Sequence, residues 1–341
     1  MAIKKQDFSE IVKKYSVEAS FKPDRYFDLG DAFLEACGIP GPAMGHITML
    51  LGHTDTGKTT GLIKSAIDAQ KKGILPVFII TEQKWGFDHA KLMGLECEKE
   101  VDPKTGESNW SGFFIFRNDF KYIEQITDFI NEMLDAQKKD EVPYDLCFLW
   151  DSVGSVPCKM TFDGKGGKQH NASVLSDKIG MGLNQRIGNS RHSDEKYTNT
   201  MVICNQPWVE LPEPNNPKGQ PKIKAKGGEA IWLNSTLVFL FGNQKGGGIT
   251  KISITKNGRK VKIATRTKVS VMKNHLNGLG YEDGKILITA HDFMHAKDEK
   301  EEKASIEEYK KIAGEYISER LGVSPDDIVD AQIEEEEVAA D

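Results

Sequence analysis

The chain has 341 residues, enough for one large buried core with small appendages. Its formal net charge of −6 matches the six acidic residues of the closing DAQIEEEEVAAD, so the remainder is neutral: no global basic character marks a nucleic-acid binder, and local basic patches stay open. The five cysteines form no C-x-x-C pair, which excludes a disulfide framework or zinc site. The charged start MAIKKQDFSEIVKKYS has no apolar leader core, and no run approaches the roughly 18 apolar residues of a membrane span, so a soluble intracellular protein with no membrane partner is expected.

In chain order, Asp7 to Ala19 places Phe8, Ile11, Val12 and Tyr15 at helical spacing with charges opposite, which predicts a small amphipathic helix. Residues 1–27 then form a helix and linker that dock either on their own core or on a neighbouring protomer. Ile47 to Thr60, ITMLLGHTDTGKTT, organises the rest of the chain: an apolar strand breaks into a glycine-bounded loop and then a helix reaching Lys71. Gly52, His53, Thr54, Asp55, Thr56, Gly57, Lys58 and Thr59 keep the G-x-x-x-x-G-K-[ST] spacing of a phosphate-binding loop, with Thr60 beside them. Glycines let the backbone N–H groups turn inward around polyphosphate oxygens, and the helix N-terminus adds its positive dipole end. Lys58 can reach the outer phosphates of ATP, and the Thr59 hydroxyl can ligate Mg²⁺.

The run ILPVFIIT reads as a strand buried on both faces, and it delivers Glu82 at the carboxyl end, where ligands of open parallel sheets bind. Glu82 is there either the base that polarises water against a γ phosphate or a capping, solvated acid. A helix from Asp88 to Leu95, a loop VDPKTGESNWSG, a short strand FFIFR and a helix from Lys121 to Lys138 come next. The buried strand Leu146 to Trp150 ends on Asp151, a carboxylate placed to bind Mg²⁺ opposite Thr59. The strand TMVICNQ delivers Asn205 and Gln206, amides suited to sense a γ phosphate and move a loop.

Two irregular basic stretches start from these strand ends, PCKMTFDGKGGKQH and PWVELPEPNNPKGQPKIKAKGG. Ordered by nucleotide, both could bind a polyanion. Phe162 and Trp208 are stacking platforms for bases or hydrophobic anchors of their loops. Further on, 243–275 alternates and is turn-rich, predicting antiparallel strands whose basic residues face either DNA or solvent. The segment DEKEEKASIEEYKKIAGEYISERLG predicts a helix with Ile306, Tyr309, Ile312 and Ile317 on one side, and Glu334 to Glu337 predict a disordered acidic tail.

The ordered set GHTDTGKTT, IITEQ, LCFLWDSVGSV, VICNQ with KAKGGEAIWLNS, and TRTKVSVMKNH resembles the ATPase core of the RecA family of DNA strand-exchange proteins, over residues 28–295. The resemblance implies an α/β fold: a RecA-like P-loop ATPase core, mostly parallel sheet with helices on both faces and appended antiparallel strands. It implies that Lys58 and Thr59 hold phosphate and Mg²⁺, that Glu82 is the catalytic carboxylate, Asp151 the Mg²⁺-associated acid and Gln206 the switch amide. Lys273 stands where the family sends a lysine across the subunit interface to the neighbour's ATP, and His275 where a second such lysine lies. His89 takes the place of the aromatic that stacks on adenine, and Gly86 that of a nearby acid. The stretch 156–173, with Lys159, Lys165 and Lys168, matches the first DNA-binding loop. The stretch 207–226, with Trp208, Lys222, Lys224 and Lys226, matches the second, closed by Gly227 and Gly228.

The implied activity is DNA-dependent ATP hydrolysis by a recombinase using ATP and Mg²⁺. It would form a homo-oligomeric helical filament on single-stranded DNA and pair that strand with homologous duplex DNA, with single-strand-binding or loader proteins as candidate partners. The implied setting is the cytoplasm of a bacterium or phage-infected cell. Residues 296–341, a helix and acidic tail, stand where the bacterial proteins have a folded C-terminal domain, as in compact phage-type recombinases. Two alternatives stay open, a hexameric helicase or loader motor on the same core fold and a nucleotide-gated scaffold ATPase. The two basic loops favour the recombinase.

Overall fold

The structure, a computed structural model, describes residues 14, 20–167, 169–210, 222–243, 248–256, 258–329 and 331–338. The helix expected over Asp7 to Ala19 lies outside them apart from Lys14. Helix α1 (Asp31–Cys37) leads to strand β1 (Ile47–Gly52), which is buried at every position. Its side chains alternate as a strand dictates: Met49 and Leu51 enter one core and Leu50 the other. Helix α2 (Lys58–Lys71) and strand β2 (Leu75–Ile80) complete the first strand–helix–strand unit.

Helix α3 (Phe87–Leu92) follows. The stretch VDPKTGESNWSG, expected to be a loop, instead supplies most of a hairpin of β3 (Glu98–Val101) and β4 (Ser108–Ser111). The turn between them is made locally: Asp102 Oδ1 accepts the Lys104 N–H at 2.7 Å and Gly106 takes a left-handed φ of 71°. Tertiary packing then holds the hairpin, since the Trp110 ring stacks on Phe87 with centroids 5.3 Å apart.

Strand β5 (Ile115–Arg117), helix α4 (Ile123–Lys138) and strand β6 (Leu146–Asp151) come next. The first basic stretch is less irregular than expected, containing the short helix α5 (Lys159–Phe162) and then α6 (Gln169–Leu175). A π-helical segment, Ser176–Leu183, runs into α7 (Asn184–Asn189). Strand β7 (Thr200–Asn205) is followed by the paired arms β8 (Pro207–Glu210) and β9 (Lys222–Ala225), then by helix α8 (Glu229–Asn234) and strand β10 (Leu237–Phe241). Antiparallel strands β11 (Ile249–Lys256) and β12 (Arg259–Asn274) extend the sheet, as the alternation of 243–275 predicted, and β13 (Gly284–Thr289) and β14 (Phe293–His295) continue it beyond that stretch.

The fold is α/β. Among the described residues the main sheet has 11 strands, with the path β14-β13-β12-β10-β1-β7-β6-β2-β5 and with β11, paired to β12, off that path together with a strand near the C-terminus. From β10 to β5 every pairing is parallel. Helices cover both faces: α1 and α2 on one core, α4, α6 and α7 on the other. Among the described residues no helix is long and apolar enough to cross a membrane.

The C-terminal end departs from expectation in two ways. The anticipated single helix breaks at Ala313 into α9 (Glu299–Ile312) and α10 (Gly314–Leu321), followed by α11 (Pro325–Val329). Ile306, Tyr309 and Ile317 are buried against β11 and β13, but Ile312, which precedes the break, is 60% exposed: six residues past Ile306 it stands about 120° away from it around the helix. The acidic tail expected to be disordered forms strand β15 (Gln332–Val338), antiparallel to β11 from Ile249↔Val338 to Thr255↔Gln332. Four adjacent carboxylates cannot build a core, but an edge strand needs only a backbone partner and matching charge. Both are present: Lys260 Nζ lies 3.1 Å from Glu334 and Arg266 Nη2 lies 3.2 Å from Glu335.

Hydrogen–deuterium exchange tests this strand. The peptide covering 332–338 is expected to exchange more slowly in the protein than as a free peptide and to lose protection as salt screens the ion pairs. Exchange at the free-peptide rate in low salt would remove β15.

Candidate nucleotide site and the loops beside it

Because β1, β7, β6 and β2 run parallel, their carboxyl ends meet along one edge of the sheet, and the predicted residues gather there. The loop after β1 turns on Gly57 at φ 101°, where a Cβ would come within 2.5 Å of Ile288 Cδ1. Only glycine fits both the backbone and the neighbour. The next residue opens α2, so its free N–H groups and dipole face the loop's concavity.

Lys58 Nζ donates to the His53 carbonyl at 2.5 Å, folding the loop around its own lysine. Thr56 Oγ1 also donates to His53 O, at 2.9 Å. Burial pushes the Lys58 pKa down, opposed by the charges of Asp151, Glu82 and Asp55 and by Cys204. A polyphosphate entering here would add further negative charge beside this buried ammonium.

Thr59 Oγ1 donates to Asp151 Oδ2 at 2.8 Å, joining the start of α2 to the end of β6. Two oxygen donors side by side suit Mg²⁺, a hard cation, and burial pushes the Asp151 carboxyl pKa up, opposed by the Thr59 hydrogen bond and the Lys58 charge. Glu82 lies just past the β2 residue paired with Asp151, and Ser152 Oγ donates to its Oε1 at 2.5 Å. Ser152 is thus the neighbour that orients Glu82. The sequence marked it only as the residue after Asp151.

A cavity of about 300 Å³ opens beside the loop, lined by Asp55 to Thr60 on one side. Opposite stand His89, Lys262 to Thr265 of β12, and Ile288 to Ala290 at the end of β13. His89 thus lines the cavity across from the phosphate loop. The β12 and β13 wall was missed, because nothing in the alternating pattern of those strands says which of their residues will fold back over a loop some 200 positions earlier.

The second basic stretch is tied to the same edge. Asn205 Nδ2 donates to Lys226 O at 2.9 Å, Lys226 N–H donates to Gln206 O at 2.9 Å, and half-buried Gln206 sits at the root of the β8–β9 arms. Trp208 pairs across the arms with Lys224 and is 60% exposed. The Lys226 stem crosses Gly154, where a Cβ would meet its Cδ at 2.7 Å. Gly227 and Gly228, both at positive φ, pack on Leu175 and Ala172 of α6, so the two basic stretches touch at their bases. Lys159 and Lys165 are exposed on the first stretch, and Lys159 Nζ stands 5.8 Å from the Tyr122 ring centre. Lys168 and 211–221 lie outside the described residues, and for Lys222 and Lys224 the backbone places both in β9.

Lys273 is not brought to the cavity of its own chain. Its ammonium donates to Trp232 O at 2.8 Å and Leu233 O at 2.9 Å, at the C-terminal end of α8, and burial pushes its pKa down. His275 follows two residues on, its N–H bonded to Thr236 O.

No family model matches the chain. It is 23% identical over 247 residues to the RecA protein of Desulforapulum autotrophicum, covering 71% of this chain and 58% of that one. It is 24% identical to the RecA protein of Syntrophobacter fumaroxidans, with 71% and 59% covered, and 26% identical to that of Francisella tularensis subsp. novicida, with 70% and 56% covered. The chain is thus distantly similar to RecA proteins. Its matched region spans less than two thirds of the length of these relatives.

The raised Asp151 pKa has a sign that can be measured. A carboxyl whose folded pKa exceeds its unfolded one binds protons more tightly when folded, so its cost to stability is small in acid and full above the folded pKa. Without Mg²⁺ or nucleotide, Asp151→Asn is expected to melt higher than the parent at pH 7 to 8, with the gap closing in acid. Equal melting temperatures across that range would contradict the charge deficit.

Proposed function

We propose that this chain is the ATP-hydrolysing core of a recombinase that assembles on single-stranded DNA and pairs it with homologous duplex. One observation carries the reading: nucleotide-site groups and the bases of two lysine-bearing loops share one sheet edge, joined by Asn205, Lys226 and Gly154. A ligand felt at Thr59 and Glu82 is then within two strand ends of both loops. Similarity to RecA proteins supports the same assignment.

In this reading loop N–H groups and Lys58 hold the triphosphate, and Thr59 and Asp151 hold Mg²⁺, which supplies a positive charge against the phosphate oxygens. Glu82, oriented by Ser152, accepts a proton from the attacking water. Gln206 senses the γ phosphate and shifts the β8–β9 arms, presenting Trp208, Lys222, Lys224 and Lys226 to the DNA beside Lys159, Lys165 and Lys168. Lys273 completes a neighbouring protomer's site in a filament, exchanging its two α8 carbonyls for phosphate oxygens.

Lys58→Ala is expected to lose ATP binding, while Glu82→Gln binds ATP and hydrolyses it about a hundredfold or more slowly, as removal of a general base does. Mixing Glu82→Gln with Lys273→Ala protein restores part of the turnover if sites are shared between protomers. Parental hydrolysis by Glu82→Gln would end its assigned role, and inertness of a verified mixed filament would end the shared site.

The DNA assignment has its own measurement. Replacing Lys222, Lys224 and Lys226 together with Ala is expected to reduce the slope of log K against log salt for single-stranded DNA by about two, at roughly 0.7 per lost phosphate contact. An unchanged slope would take the second loop off the DNA.

A further inference from the structure

The cavity wall facing the phosphate loop is held in place by the C-terminal helices. Thr289 and Ala290 end β13 at the cavity, and the turn onward to Asp292 is gripped from two sides. Asp292 pairs with Lys64 on the second turn of α2, the helix that begins at the phosphate loop. From the other side, Tyr309 of α9 brings its hydroxyl to the Ala290 N–H, 3.3 Å away, and to His291 Nδ1, 3.1 Å away. Tyr309 is buried, and Tyr316 of α10 meets the His291 ring edge-on at 5.6 Å.

These contacts form a chain of donors. Burial, helped by His89 nearby, holds His291 below its ordinary pKa, so at neutral pH the ring is uncharged and Nδ1 can accept the Tyr309 proton while the hydroxyl accepts from Ala290. Helix α9 is anchored in turn: Glu302 receives Arg266 Nη1 at 2.7 Å, and Arg266 adjoins Thr265, which lines the same cavity. Two strands of the wall are therefore braced from behind by one helix that contributes nothing to the lining.

Phosphates belong at the loop, where the N–H groups are, which leaves His89 and the β12 and β13 wall for the base. We propose that Tyr309 is a positioning residue for the nucleotide base: through Ala290 and His291 it fixes the wall against which the base packs, so α9 sets affinity for the base and leaves the phosphates untouched. This rests on the reading of the cavity as a nucleotide site.

Binding of ATP and of inorganic tripolyphosphate, each with Mg²⁺, to the parent and to Tyr309→Phe separates the cases by calorimetry. Phenylalanine keeps the buried ring and removes only the hydroxyl. Loss of one or two hydrogen bonds predicts ATP binding weaker by about fivefold to tenfold, with tripolyphosphate affinity within about twofold of the parent. Unchanged ATP affinity overturns the proposal, and so does equal weakening of both ligands, which would mean general loosening of the site. A parent that binds neither ligand would overturn the nucleotide reading itself. Should Tyr309→Phe melt well below the parent, His291→Gln, which leaves the tyrosine packed, gives the same comparison with the same outcomes.

Discussion

The hydrogen bond between Thr59 and Asp151 depends on three parallel strands keeping register. Thr59 belongs to the helix after β1 and Asp151 ends β6, with β7 between them. Cys147↔Thr200 and Ile47↔Met201 set the alignment on either side of β7. A slip of one residue in β6 would turn Asp151 to the opposite face and replace it with Trp150, a buried anchor of the other core. The site is thus only as precise as the burial of these strands, and their unbroken apolar runs make that burial hard to rearrange.

Electrostatics at the strand ends is unbalanced in a consistent direction. Lys58 is desolvated and deprotonates more readily than a free lysine, Asp151 is desolvated and ionises less readily, and the Cys204 thiol is held well above its ordinary pKa. Lys58 and Asp151 offset each other's desolvation only in part, and under the proposed function a Mg²⁺–polyphosphate complex would add an anion for the lysine and a cation for the aspartate. Charge left uncompensated inside a fold costs stability, and concentrated at one cavity it belongs with ligand binding.

The mechanical layout matches this chemistry. The basic stretches leave from the ends of β6 and β7, and close packing of Gly227 and Gly228 on α6 makes their bases one unit. On the far side of the cavity, β12 and β13 lean on α9, and β15 zips onto β11 beside them. Of a segment that reads as helix plus loose tail, the helix braces the cavity wall from behind and the tail pairs with β11.

The sequence by itself determined the parts whose signal is local. Apolar runs ending in Glu82, Asp151 and Asn205 could be read as buried strands because a parallel strand hides both faces, and the phosphate loop because glycine spacing dictates its backbone. Contacts between distant segments were decided only by tertiary structure. The β3–β4 hairpin exists because Trp110 finds Phe87, the acidic strand because Lys260 and Arg266 face Glu334 and Glu335, and the cavity wall because β13 folds back over Gly57. Polar or exposed residues carry no periodicity that forecasts a partner far along the chain. Their pairing is a property of the assembled sheet, which is why the contacts made by Ser152, Ile288 and Tyr309 became visible only there.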